Sequence, residues 1–206
     1  MEAGKPQARG VENPGIWRKL WALMNSLVSP VFRILLSSLL VLLCCQCATK
    51  KRIIVSVAAQ RMVLTDDGEF VKSYPVSTSK FGLGDVPRSK KTPLGTMEIA
   101  KKIGRGARPG TVFKSRERTG EVLKPNAPGR DPIVTRILWL KGTQPWNRNA
   151  YSRYIYIHGT PEERKIGSRA SYGCIRMTSR DVIDLYRRVP KGTPVVVVPG
   201  YIGPQG

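Results

Sequence analysis

Ile157-His158-Gly159-Thr160 and Ser171-Tyr172-Gly173-Cys174-Ile175-Arg176-Met177 decide how this chain is read. His158 is the only histidine in the sequence, and Cys174 is the only cysteine outside its first fifty residues. A free thiol is only a few per cent ionised near neutral pH, so a cysteine nucleophile needs a base beside it. Beyond its N-terminal stretch the chain offers one such thiol–imidazole pair. His158 ends the alternating run Tyr154-Ile155-Tyr156-Ile157, and that alternation predicts a strand from Arg153 to Ile157. Cys174 follows a glycine and precedes an apolar residue, which predicts a turn where backbone comes close to a substrate. A lone cysteine and a lone histidine are more often a buried thiol and a hydrogen-bonded core imidazole. Two rare residues in two glycine-marked turns favour catalysis instead.

The remaining pattern predicts a mostly-β domain. Ile53 to Val57 is β-branched and reads as a strand, and Asp66-Asp67-Gly68-Glu69 between Met62-Val63-Leu64 and Phe70 to Tyr74 reads as a hairpin. Met97 to Ala100, Ile133 to Leu140 and Thr193 to Val198 read as further strands, the last apolar throughout and therefore central. Residues 101–132 hold little periodicity and read as a long loop with one short strand at Gly110 to Lys114. After the cysteine comes one helix, capped by Thr178 or Ser179, with Asp181 in its first turn. Val182, Ile183, Leu185, Tyr186 and Val189 give it an apolar face, and Pro190-Lys191-Gly192 stops it. Seven or more strands and one helix after the cysteine predict a β-sandwich or barrel.

Charge is lopsided: 35 Lys+Arg against 14 Asp+Glu, a formal +21. Such a balance predicts anionic partners. No helix-turn-helix, zinc-ligand cluster or RNA-binding aromatic motif accompanies it, and no nucleic-acid partner is expected. From Lys80 to Arg130 there are thirteen Lys+Arg and four Asp+Glu, a net +9. That run reads either as a solvated loop region or as a basic rim for anionic polymers. Residues 1–48 read as a leader. Ile34 to Cys45 is a twelve-residue apolar run, with Arg33 before it and Lys50-Lys51-Arg52 after it, the length of a signal-peptide core. Cys44, Cys45 and Cys47 at its end suit a lipoprotein signal, although Leu43 is bulky for the position before a lipidated cysteine. Cleavage before Ala48 and an uncleaved anchor are the other readings, and all three expect a domain outside the cytoplasm, in the periplasm or cell envelope. Ile16, Trp17, Leu20, Met24 and Leu27 stand at helical spacing, read as an interfacial segment or as sequence upstream of a true start at Met24. No structural disulfide is expected once the leader is gone.

The two turns resemble the L,D-transpeptidase catalytic domain of bacterial cell-wall enzymes, the YkuD type. There a His-Gly-Thr turn precedes a Ser-x-Gly-Cys-apolar-Arg segment. Here twelve residues, Gly159 to Ala170, separate His158 from Ser171, as in the Gram-negative branch. The resemblance spans residues 51–200, with 201–206 as a tail. Ile54 to Thr78 matches the family's opening hairpin, Thr92-Pro93-Leu94-Gly95 its Thr-Pro-x-Gly turn, and Ile137-Leu138-Trp139-Leu140 the strand before the catalytic pair. Tyr172 departs from it, since many members carry a second histidine there. The resemblance implies acyl transfer from a peptidoglycan tetrapeptide stem to an amine, acylation by carbapenems, no cofactor, and a flap arising between residues 101 and 132.

The residues suggest the chemistry. Cys174 attacks an amide carbonyl while His158 takes its proton and later protonates the leaving amine. The resemblance makes the Gly159 carbonyl the group that orients the imidazole. The amides of Gly173 and Cys174 are expected to form the oxyanion hole. Arg176, two residues past the nucleophile on the same face of an extended segment, reads as a grip on a substrate carboxylate or as a structural salt bridge. Tyr156 shares the face of His158 and reads as pocket wall or core, and Ser171 and Tyr172 as turn-shaping or substrate-contacting residues. With one histidine, a zinc-peptidase reading fails. An L,D-carboxypeptidase, with water as acceptor, and a non-catalytic wall-binding lipoprotein are the alternatives.

Overall fold

The computed structural model describes residues 18–19 and 50–203. Contacts divide the chain after Ala48, and the unit from Thr49 onward carries both turn motifs. The leader's apolar run, its three cysteines and Met24 lie outside the described residues. Among the described residues no helix is long and apolar enough to cross a membrane.

Residues 50–203 form ten strands and one α-helix: β1 (Arg52–Ser56), β2 (Arg61–Asp66), β3 (Glu69–Pro75), β4 (Gly95–Ile103), β5 (Thr111–Lys114), β6 (Glu117–Val122), β7 (Ile133–Gly142), β8 (Tyr156–Gly159), β9 (Ile175–Met177), α1 (Ser179–Arg188) and β10 (Pro194–Val198). The fold is mostly β, with its helix after Cys174, as the sequence predicts. The strands pair in the order β3-β2-β1-β10-β4-β7-β5-β6; β8 also pairs with β7, and β9 pairs with β8. The valine run of β10 is central, parallel to β1 and antiparallel to β4.

β7 organises the interior. Successive side chains of a strand point to opposite faces. Leu138 and Leu140 therefore join the large core with Ile99, Ile157, Ile175, Val182 and Leu185. Ile137 and Trp139 join a second cluster with Phe113 and Tyr156, against which Cys174 packs. Burying each large apolar side chain contributes about 1.5–3 kcal/mol, so a strand buried on both faces anchors two layers at once. α1 packs on β7 and β8. The Thr178 hydroxyl caps it by accepting the Asp181 N–H at 3.1 Å.

Two expectations need correction. Residues 101–132 are not a long loop: β4 continues to Ile103, and β5 and β6 form a hairpin. β6 reads Glu-Arg-Thr-Gly-Glu-Val and is largely exposed, so it is held by backbone pairing and carries no apolar period. Its turn takes Ser115 and Arg116 into the left-handed region, φ 50 and 71, the geometry a tight hairpin demands. The strand expected from Arg153 begins at Tyr156, because Tyr154 has φ 58 and belongs to a turn.

A bulge in β7 shapes the approach to β8. Val134 pairs with Gly159 and Ile137 with His158, so Thr135 and Arg136 are extra residues in β7. Thr135 has φ 72, a strained conformation for a β-branched residue. Its hydroxyl is fixed by the Gly110 N–H at 2.9 Å and by the Ser179 hydroxyl at 2.8 Å. The bulge presses on Gly159, where an added Cβ would stand 2.7 Å from the Val134 carbonyl and 3.1 Å from Thr135 Cβ. Gly159→Ala is expected to cost about 1–3 kcal/mol, read as a lower urea midpoint with an unchanged slope. An unmoved midpoint would contradict the close approach.

Candidate active site

β8 and β9 run parallel, with Ile157, His158 and Gly159 opposite Ile175, Arg176 and Met177. This pairing brings the two turn motifs side by side, with Cys174 one residue before β9. His158 is buried, and its Nδ1 lies 2.8 Å from the Gly159 carbonyl oxygen. A carbonyl only accepts, so Nδ1 carries the proton and Nε2 keeps its lone pair. Burial drives the imidazole down to about 4; the Gly159 carbonyl and Asp131 oppose this and Arg176 adds to it. Burial likewise pushes the Cys174 thiol up to about 11, while the Tyr156 backbone and the charges of Arg153 and Arg176 favour the thiolate. Both groups are therefore neutral near pH 7: a thiol, and an imidazole ready to accept a proton. Sγ donates to the Tyr154 carbonyl at 3.4 Å.

The thiol borders an open cleft of about 510 Å³, lined also by Arg88, Lys90, Arg153, Tyr154 and Tyr172. The turn before it is tied from within. Ser171 Oγ donates to the Cys174 carbonyl at 2.5 Å and accepts the Gly173 N–H at 3.2 Å. Gly173 adopts φ 119, and its carbonyl accepts from Thr92 Oγ1 at 3.0 Å. Thr92 of the Thr-Pro-Leu-Gly turn thus buttresses the cysteine loop. The Gly173 amide, expected in the oxyanion hole, is engaged by Ser171 here.

Arg176 does not face the cleft. Its side chain is 2 % exposed and ion-paired with Asp131 and, at 3.0 Å, with Glu162. Its Nε and Nη2 are buried without partners. Asp131 also accepts from the Thr160 hydroxyl at 2.5 Å. The third residue of the His-Gly-Thr turn and the Arg of the cysteine motif thereby share one carboxylate. Tyr156 is buried, edge-on to Trp139. Tyr172 is exposed on the rim, its ring 5.4 Å from Phe81 and flanked by Lys80 and Lys90 at 4.7 and 5.6 Å.

Sequence reasoning missed Asp131, Glu162, Arg153 and Arg116. Asp131 and Glu162 meet Arg176 from separate loops, and no fixed offset announces such a meeting. Arg153 pairs with Asp85 at 2.7 Å, both nearly buried, and bonds the Lys91 carbonyl at 2.7 Å. Arg116, at the β5–β6 turn, lies over the rings of Trp139 and Tyr154 at 5.3 and 5.1 Å. The hairpin within the expected flap region therefore reaches the wall beside the thiol. Among the described residues no three His, Cys, Asp or Glu side chains converge as a metal site.

The family pattern of the L,D-transpeptidase catalytic domain matches residues 50–197. The Bacillus subtilis protein named L,D-transpeptidase YkuD is 28% identical over 145 residues, 70% of this chain and 64% of that protein. The chain thus spans under two thirds of that relative's length. A solved L,D-transpeptidase from Mycobacterium smegmatis is 20% identical with a TM-score of 0.47, covering 73% of this chain and 59% of that one. The L,D-transpeptidase LdtMt1, solved in complex with imipenem, is 19% identical with a TM-score of 0.46, covering 73% and 59%.

With one histidine in the sequence, an NMR titration of the imidazole reads a single group. It is expected to titrate near 4, well below the usual 6.5. A midpoint at the ordinary value would contradict the buried, neutral imidazole.

Proposed function

The chain belongs to the YkuD family of L,D-transpeptidase catalytic domains, and from that premise we propose that it is a cysteine acyltransferase acting on peptidoglycan stem peptides in the cell envelope. The observation that carries this reading is the anchored imidazole. Nδ1–H donates to Gly159, and the free Nε2 belongs to the strand paired with the one that follows Cys174.

In the proposed cycle Nε2 takes the thiol proton as Sγ leaves the Tyr154 carbonyl and attacks the amide between the third residue of a tetrapeptide stem and its terminal D-Ala. The neutral resting pair suits this order, because no charge is buried before substrate arrives. The Cys174 amide faces the developing oxyanion, and the Gly173 amide joins it on release from Ser171. The imidazolium returns its proton to the leaving D-Ala nitrogen, leaving a thioester on Cys174. An acceptor amine on a second stem, a protein or a free amino acid then attacks the thioester while His158 removes its proton; the C–S bond breaks, and the imidazolium returns that proton to the departing Cys174 sulfur, restoring the thiol. Gly159 holds the imidazole in register throughout. Arg176 acts inward, clamping Asp131 and Glu162 behind His158, and the grip on substrate carboxylates passes to Arg88 and Lys90 on the rim beside Tyr172. Tyr156 walls the thiol. A carbapenem offers a strained amide to the same thiol and is expected to acylate it. The leader would hold the domain at the membrane, facing the wall.

The full chain is to be incubated with disaccharide-tetrapeptides and the products weighed by mass spectrometry. Cross-linked dimers or amine adducts support the proposal. Tripeptide alone would replace it with an L,D-carboxypeptidase, and unchanged substrate would overturn it. Cys174→Ser and His158→Ala are each expected to lower the rate far more than tenfold, and the nearly isosteric Cys174→Ser is expected to leave the melting temperature unchanged. Retention of more than about a tenth of the rate, roughly 1.4 kcal/mol of barrier, would contradict the assigned role.

A further inference from the structure

The basic run of the sequence does not form one surface. Part of it converges on a second cavity that shares no lining residue with the cysteine cleft. Lys102 of β4, Arg105 after β4, Arg136 in the β7 bulge, Arg187 of α1 and Lys191 after α1 line it around Tyr186. Arg118 of β6 stands beside them, its Nη2 donating to the Arg105 carbonyl at 2.6 Å. Among the described residues no carboxylate forms a salt bridge with any of these six cations.

The pocket is built, not a scatter of surface lysines. Arg136 is 7 % exposed. Its Nη1 donates to the carbonyls of Ala107 and Thr135 at 2.8 and 2.5 Å, which fixes the guanidinium in place. Lys102 is anchored as firmly, its Nζ donating to the Tyr186 and Val189 carbonyls at the C-terminal end of α1 at 2.7 and 2.6 Å. The Tyr186 ring lies beside both, 4.3 Å from Lys102 Nζ and 5.6 Å from the Arg136 guanidinium. Burial, and then Arg105, lower the Lys102 pKa; burial, Arg187 and Arg118 lower that of Arg136, against an opposing effect of Tyr186. Like charges held this close repel, and an anion between them relieves the repulsion.

We infer that this cavity is an anion site for a phosphate group, a phosphomonoester, diester or pyrophosphate, separate from the acyl-transfer cleft. A monocarboxylate neutralises one charge and presents two oxygens in a plane. A phosphate brings more charge and a tetrahedral set of acceptors, which suits donors arriving from two strands, a helix end and two loops. The inference stands independently of the acyl-transfer reading.

The test is calorimetric titration of the full chain at low salt with pyrophosphate, and with acetate as the monocarboxylate control. It compares wild type with R105Q/R187Q/K191Q, three exposed positions whose loss leaves the core untouched. Saturable pyrophosphate binding is expected, weaker by about tenfold or more in the triple variant, with no comparable acetate binding. Equal pyrophosphate binding in both proteins, or acetate binding as tight as pyrophosphate, would overturn the site. Arg136→Lys keeps the charge but loses the planar fork, and is expected to weaken binding as well. Flotation with phosphatidylglycerol and phosphatidylcholine vesicles separates the sources. Capture by the former that pyrophosphate displaces, and that the triple variant loses, identifies a lipid headgroup. Pyrophosphate binding without such capture identifies a soluble or wall-borne phosphate. Turnover of stem peptide by the triple variant is expected to match wild type, so failure of this inference is distinct from failure of the acyltransferase reading.

Discussion

The bulged pairing of β7 with β8 is the constraint on which the site depends. Thr135 and Arg136 are extra residues between partners that face adjacent positions, Gly159 and His158. That crowding leaves no room for a side chain at Gly159, and the adjoining carbonyl fixes the imidazole. The strain at Thr135 is held by bonds to Gly110 and to Ser179 at the start of α1. One irregularity thus links the helix, the β4–β5 loop and the histidine. It also turns Arg136 toward the basic cavity, so the same bulge serves two places in the molecule.

Much of this was legible in the sequence because its signals are local. The unbroken valine run of β10, the Asp-Gly turn, the Thr178 cap and the two glycine-marked turns each rest on a few adjacent residues. The elements that went unread rest on tertiary pairing. β6 is polar and survives as an edge strand only because β5 offers it a ladder. Tyr154, a β-former by type, is in a left-handed turn because its carbonyl faces the thiol and its ring packs on Trp139. The Arg176 network was invisible for the same reason: Asp131 lies 45 residues before its partner. Carboxylates brought together by fold leave no spacing rule behind.

Electrostatics divides the molecule into an inward and an outward system. Inside, charges are paired: buried Arg176 with the half-buried Asp131 and Glu162, and Arg153 with Asp85, both nearly buried. Such pairs bring modest net stability but hold loops in register, and removing one partner strands the other in a dry site. Around them the catalytic candidates stay neutral, because burial disfavours both the thiolate and the imidazolium. Near the surface, cations without a carboxylate partner among the described residues line two places, Arg88 and Lys90 at the cysteine cleft and Arg105, Arg187 and Lys191 at the basic cavity. Their attraction for anions is screened by salt over about 10 Å at 0.1 M.

Acyl transfer by this chain requires a covalent bond between Cys174 and substrate. The full chain, mixed with a disaccharide-tetrapeptide without an acceptor amine and quenched in acid, should gain the mass of the disaccharide-tripeptide acyl group. One D-Ala should be released for each adduct. Peptide mapping should place the added mass on the fragment containing Cys174. An adduct on another residue, or D-Ala release with no acylated chain at any quench time, would contradict the thioester mechanism.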